Sequence, residues 1–133
     1  MNDWVCFGYF KSFPEEDVVL IQDANKPQPH KWKLPGGKKK RGELYYVQTL
    51  DRELREELPD FEFVIRDYKP VFRKTLDGHE FLIFKGEFFQ LFKRISNSIR
   101  KANTFSRKQI LRLLQEDLIL ENHADFLRDE LKK

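Results

Sequence analysis

Apolar and polar positions along the chain change period several times, and each change marks an element. Residues 4–10, Trp4-Val5-Cys6-Phe7-Gly8-Tyr9-Phe10, form an apolar run short enough for a strand. Residues 17–22, built on Val18-Val19-Leu20-Ile21, predict a second, buried strand. A loop follows over 23–33, with Pro27 and Pro29, and delivers Trp32 to the breaker cluster Pro35-Gly36-Gly37, where the backbone can turn sharply. Val47, Leu50, Leu54 and Leu58 then recur at helical spacing. Leu44-Tyr45-Tyr46 offers no good N-cap, which predicts an irregular start over 43–47. Pro59 has no N–H and restricts the residue before it, so the helix should stop at or before Leu58 and leave extended toward Phe61.

Residues 61–67 alternate through Phe61, Phe63 and Ile65 and predict a strand; 70–75 predicts another, and Asp77-Gly78 turns it into a long aromatic strand over 80–89. The pattern fades between Gln90 and Thr104, which reads as a loop with at most a short helical turn. Ser106 with Gln109 forms a capping box ahead of a helix carrying Ile110, Leu111, Leu113 and Leu114. A last helix starts near Asn122 and carries Phe126, Leu127 and Leu131. Strands and helices do not alternate strictly, so the fold class is α/β of the α+β kind, with a mixed sheet covered by helices.

Composition narrows this. A length of 133 residues suits one domain over 1–133 with a workable core. Apolar residues make up 40% and charged residues 35%, and 13 phenylalanines predict an aromatic core. No run approaches the ~20 apolar residues of a membrane span, and the first residues lack the basic and apolar regions of a signal peptide. Cys6 is the only cysteine, which excludes an internal disulfide and fits a reducing, cytoplasmic location; set in Val5-Cys6-Phe7, it reads as a small core residue rather than a nucleophile.

The helix over 47–58 also carries Glu53, Glu56 and Glu57, which fall within about 100° of arc on one face, beside the leucine stripe. Three acids so close repel one another. Arg52 and Arg55 offset part of this, and a solvated charged face is the bland reading. The alternative is a hard divalent cation, because Mg²⁺ takes carboxylate and carbonyl oxygen and shares its shell with phosphates.

The stretch resembles the Nudix box of the MutT-like hydrolases, which reads Gly, five residues, Glu, seven residues, Arg-Glu-aliphatic-any-Glu-Glu, any, Gly, aliphatic. Gly37, five residues and Glu43 match; eight residues then stand in place of seven, followed by the full core Arg52-Glu53-Leu54-Arg55-Glu56-Glu57. Pro59 and Asp60 replace the final Gly and aliphatic. The resemblance implies a mixed sheet between helical layers and Mg²⁺- or Mn²⁺-dependent hydrolysis of a nucleoside diphosphate linked to another moiety. By the same resemblance Glu53 and Glu57 are the principal metal ligands, Glu56 is a ligand or general base, the Gly37 carbonyl approaches the metal, Arg52 belongs to the catalytic group as a brace, and Glu43 supports it. Some members recruit an acid outside the box, for which Glu80, Glu87 and Glu116 are candidates, each read first as an ordinary surface acid. The added residue should be absorbed upstream of Val47, leaving Glu53 and Glu57 facing the Gly36-Gly37 turn.

Lys38-Lys39-Lys40-Arg41 sits beside these acids and raises positive potential for a phosphate-rich substrate, Lys38 foremost. Trp32, Phe7 and Tyr9 could stack on a base; for Phe7 and Tyr9, on one strand face, core packing is an equal reading. His30, His79 and His123 share no ligand spacing. Net charge is +3, yet no Asp or Glu occurs between Phe88 and Gln115 while seven Lys or Arg do. That stretch is a basic surface or a path for an RNA 5′ end. The expected partner is a small nucleotide, with RNA 5′-end hydrolysis and a nucleotide-binding module without turnover as alternatives; a homodimer is compatible with the sequence.

Overall fold

The computed structural model describes residues 3–90 and 93–133. Seven strands and three helices follow one another as β1 (Trp4–Lys11), β2 (Val18–Asp23), β3 (Gly36–Lys38), α1 (Tyr46–Glu57), β4 (Glu62–Ile65), β5 (Phe72–Leu76), β6 (His79–Gln90), β7 (Ile99–Phe105), α2 (Arg107–Gln115) and α3 (Glu121–Glu130) among the described residues.

All seven strands join one mixed sheet in the order β4-β6-β1-β2-β7. β1 and β6 run parallel along their length, from Trp4 opposite Glu80 to Lys11 opposite Glu87. The outer edge of β1 is shared: β3 pairs antiparallel with Val5–Phe7, and β2 takes over at Lys11 opposite Val18. The far edge of β6 is divided likewise between β5 and β4.

Strand alternation sends successive side chains to opposite faces, so each central strand feeds two cores. Cys6, Phe10, Val19, Ile21, Leu82 and Phe84 face α1, whose Leu50 and Leu54, with Leu58 just beyond its end, are buried against them. Phe7, Tyr9, Val18, Leu20, Phe81 and Ile83 face the other way, onto Ile110 of α2 and Phe126 and Leu127 of α3. The sheet therefore lies between helical layers, as expected. Cys6 is fully buried, and desolvation pushes its thiol far up.

Three readings need correction. Residues 99–105 are a strand, not a loop: β7 pairs with β2 from Val18 opposite Phe105 to Asp23 opposite Ile99. In β7 only Ile99 is buried, so an edge position with polar residues leaves no apolar pattern to read. Residues 91 and 92 of the 90–104 stretch lie outside the described residues. The breaker pair Gly36-Gly37 is part of a strand rather than a turn. The helix does stop before Leu58, but the chain does not leave extended; Phe61 N–H donates to Leu58 O at 3.0 Å and closes a turn through Pro59 and Asp60. The fixed φ of proline suits that turn.

Ser106 caps α2 as predicted, accepting from Gln109 N–H, while the Gln109 side chain accepts from Ser106 N–H. At the start of α1, Gln48 Oε1 accepts from both Leu44 and Tyr45 N–H at 2.8 and 2.9 Å, which compensates for the poor cap.

Candidate active site

The leucine stripe fixes the rotation of α1: with Leu50 and Leu54 in the core, its acids lie along the flank next to β3. β3 comes close because two glycines let it. A Cβ on Gly36, where φ is +142°, would stand 2.0 Å from the Cys6 carbonyl oxygen. A Cβ on Gly37 would stand 2.5 Å from Glu53 Cδ and 2.6 and 2.7 Å from its oxygens. The Glu53 carboxylate thus occupies the space a side chain at 37 would need. One turn on, Glu57 Oε1 accepts from Gly36 N–H at 3.1 Å. Both acids face the glycine pair, with regular helix beginning only at Tyr46.

Glu57 is buried, at 7% exposure. Desolvation pushes its carboxyl up to about 8; the positive charge of Lys33 and the Gly36 N–H oppose this, while the charges of Glu53 and Asp23 reinforce it. A buried carboxylate in this position is anionic only when a positive partner reaches it.

Arg52 holds the remaining acids. Its Nε donates to Glu43 Oε2 at 2.9 Å, Nη1 to Glu53 Oε1 at 3.0 Å and Glu56 Oε1 at 2.8 Å, and Nη2 to the Lys38 carbonyl at 2.7 Å. One planar guanidinium therefore ties three carboxylates of the site to the strand beside them. Glu43 in turn accepts from Lys40 N–H at 2.7 Å and Thr49 Oγ1 at 2.8 Å. The Arg52 hydrogen bond, foremost, draws its carboxyl down to about 2, with the Lys40 and Thr49 bonds adding to the effect against desolvation. Thr49, itself buried, accepts from Trp4 Nε1 at 2.9 Å. Glu56 is the most open of the acids, its second oxygen 3.3 Å from Lys40 Nζ.

The donor set suits a hard divalent cation: carboxylate oxygens, a strand backbone without a side chain at 37, and a buried acid short of positive charge. Among the described residues no three His, Cys, Asp or Glu side chains are gathered closely enough to hold a metal ion by themselves.

The other expected residues are dispersed. The Lys38 side chain is exposed while its carbonyl serves Arg52. Trp32 is half-buried, edge-to-face with Phe105 at 4.7 Å, and its backbone bridges to Leu118 and Leu120. Phe7 and Tyr9 lie on the sheet face away from α1, at 6% and 3% exposure. Phe7 packs on His123 at 4.5 Å and Phe81 at 5.1 Å, and Tyr9 on Phe126 at 5.3 Å. Glu80 accepts from Tyr46 Oη, Glu87 from Arg66, and Glu116 caps the end of α2; none joins the acids of α1. His123 is buried, and its Nδ1 accepts from Leu34 N–H at 3.2 Å.

Three participants escaped the sequence reading. Lys33 has its Nζ 4.8 Å from the Phe7 ring centre and 3.5 Å from Asp23 Oδ2, and its charge is felt by Glu57. Its place beside Trp32 was the available signal. Thr49 and Trp4, which support Glu43, gave none.

Comparison with known proteins bears on this arrangement. A NUDIX hydrolase from Nitrosomonas europaea superposes with a TM-score of 0.80 at 20% identity, over 99% of this chain and 72% of that one. A NUDIX-family hydrolase from Clostridium perfringens gives 0.75 at 13% identity, over 99% and 97%. An ADP-ribose pyrophosphatase from Streptococcus suis gives 0.62 at 14%, over 81% and 76%. At such identities these likenesses show the fold. No curated protein matches the chain. The profile of the NUDIX domain matches residues 5–128.

Proposed function

The chain belongs to the Nudix family, and on that premise we propose that its 133 residues form one domain that hydrolyses a pyrophosphate bond with Mg²⁺ or Mn²⁺. The substrate is a nucleoside diphosphate linked to another moiety: a nucleoside triphosphate, an ADP-ribose-like nucleotide sugar or a dinucleoside polyphosphate. The observation that carries this reading is the seating of Glu53 and Glu57 against Gly37 and Gly36, with Arg52 tying Glu53 and Glu56 to β3.

Glu53, Glu56, Glu57 and the Gly37 carbonyl would hold the ion. Once bound, a divalent cation screens phosphate charge and lowers the pKa of coordinated water. Arg52 keeps the carboxylates in place rather than meeting substrate, and Glu43 fixes Arg52. Glu56, open to solvent, is the acid best placed to accept a proton from water when it is not a ligand. Lys38 and Lys40 add positive potential where phosphates would arrive. Trp32, half-buried in the loop before β3, is the aromatic side chain best placed to meet a base. The lone, buried Cys6 accords with a cytoplasmic location. No helix among the described residues is long and apolar enough to cross a membrane.

One observation favours a second reading, a nucleotide-binding module without turnover: Arg52 Nη1 occupies an oxygen of both Glu53 and Glu56. The test separates the two. Product release is measured across nucleoside triphosphates, nucleotide sugars, dinucleoside polyphosphates and 5′-triphosphorylated RNA, with Mg²⁺ and with excess chelator. Hydrolysis of at least one class that stops with chelator and returns with Mg²⁺ or Mn²⁺ is expected. Full activity in chelator overturns the metal role, and binding without hydrolysis establishes the module.

A further inference from the structure

A second cavity lies on the same side of the sheet as the acids but at the other end of α1. It measures about 630 Å³ and is lined by Trp4, Leu44, Tyr45, Tyr46, Val47, Tyr68 and Glu80. From Tyr46 to Glu53 the helix advances roughly 10 Å, and the cavity meets the acid site only at Trp4, whose Nε1 donates to Thr49 beside Glu43. Its size is that of a small-molecule pocket.

The lining has an unusual composition. Four aromatic rings come from three separate segments of the chain, and Tyr45 and Tyr68 are held 66% and 77% exposed, beside Leu44 at 73%. Glu80 is the one acidic or basic side chain in the lining. Aromatic faces are electronegative, so rings and carboxylate together favour positive charge.

The protein's own side chains display that preference. Lys39 Nζ lies 4.8 Å from the Trp4 ring centre, and the Arg73 guanidinium lies 5.8 Å from that of Tyr46. Arg73 Nε forms a long ion pair with Glu80 Oε2 at 3.8 Å, whereas Tyr46 Oη donates to Glu80 at 2.9 Å and fixes its carboxylate. The rings of Tyr45 and Tyr68 have no aromatic or cationic partner among the described residues. Leu44 and Val47 add an apolar wall.

We propose that this cavity binds a small organic cation, an ammonium on an apolar body, with the ammonium between Tyr68, Tyr45 and Glu80. The proposal stands whether or not the chain hydrolyses a nucleotide.

The test uses the full chain without added metal or nucleotide, titrated calorimetrically with choline and with its neutral isostere 3,3-dimethylbutan-1-ol. Choline should bind saturably, one per chain, and the isostere at least tenfold more weakly. Tyr68→Ala and Glu80→Gln should each weaken choline at least tenfold while the melting temperature stays put, since both side chains are solvent-accessible. Absence of saturable choline binding overturns the proposal. So does equal binding of the isostere, which would make the cavity merely apolar, and so does wild-type affinity in both variants.

Discussion

The claim that Glu53 is positioned by the absence of a side chain at 37 can be tested with one methyl group. In Gly37→Ala the new Cβ would meet Glu53 Cδ at 2.5 Å and its oxygens at 2.6 and 2.7 Å. Carbon contacts begin near ~3.5 Å, so the carboxylate must withdraw by about 1 Å. Withdrawal breaks its 3.0 Å bond from Arg52 and moves it off the glycine pair. The obstacle is the end of a flexible side chain, so rotamer strain of ~1 kcal/mol is the expected cost to folding. That corresponds to a fall in Tm of roughly 3–5 °C. Misplacement of a catalytic group by ~1 Å costs on the order of 100-fold in rate. Gly36→Ala is the contrast: its Cβ would meet Cys6 O at 2.0 Å and Phe7 Cα at 2.8 Å, both backbone, with φ at +142°. It should lose the β3–β1 pairing and most folded protein. Steady-state turnover and thermal melting of the two variants decide the matter. Wild-type turnover in Gly37→Ala, or destabilisation equal to that of Gly36→Ala, would refute the reasoning.

Arg52→Lys should lower turnover by roughly 10–100-fold and stability by ~1–2 kcal/mol, because an ammonium cannot reach Glu43, Glu53, Glu56 and the Lys38 carbonyl together; kinetics and denaturant melts check both. His123 is held neutral by burial and by the charge of Lys33, its pKa lowered well below 6.5. The unfolded chain therefore takes up a proton that the folded chain refuses, and stability falls as pH drops below 6.5. The loss attributable to His123 between pH 7 and 5 is at most ~2 kcal/mol, and His123→Gln should flatten that part of the stability profile. Pro59 stands exposed in the turn after α1. Pro59→Gly should cost ~0.5–1 kcal/mol through the entropy of the unfolded chain and leave turnover within about twofold; a large loss of activity would mean that the proline helps shape the site.

The central elements were legible because burial writes a period into the sequence. The runs at 4–10 and 17–22 and the stripe Leu50, Leu54, Leu58 each place one side in a core, and β1, β2 and α1 lie where they predict. The spacing of the stripe relative to Glu53 and Glu57 also foretold which way those acids face. β7 was not legible, since an edge strand with one buried residue carries no alternation. β3 was hidden by its glycines, whose role is the absence of a side chain. The bracing role of Arg52 was foreseen, but not its reach to Glu43, Glu53, Glu56 and the Lys38 carbonyl together. The cavity around Tyr45, Tyr68 and Glu80 depends on contacts between distant segments, which no local pattern records.

The most direct test of the account is the turnover of Glu57→Gln in saturating Mg²⁺, set beside its melting curve. Glutamine keeps the shape and can still accept from Gly36 N–H, so only the negative charge is removed. If Glu57 holds the metal, turnover falls at least ~100-fold. In melts without metal, stability stays equal or rises, because the neutral amide never has to bear the charge that burial and Glu53 disfavour at this position. Turnover close to wild type would contradict the account and return this flank of α1 to an ordinary charged surface.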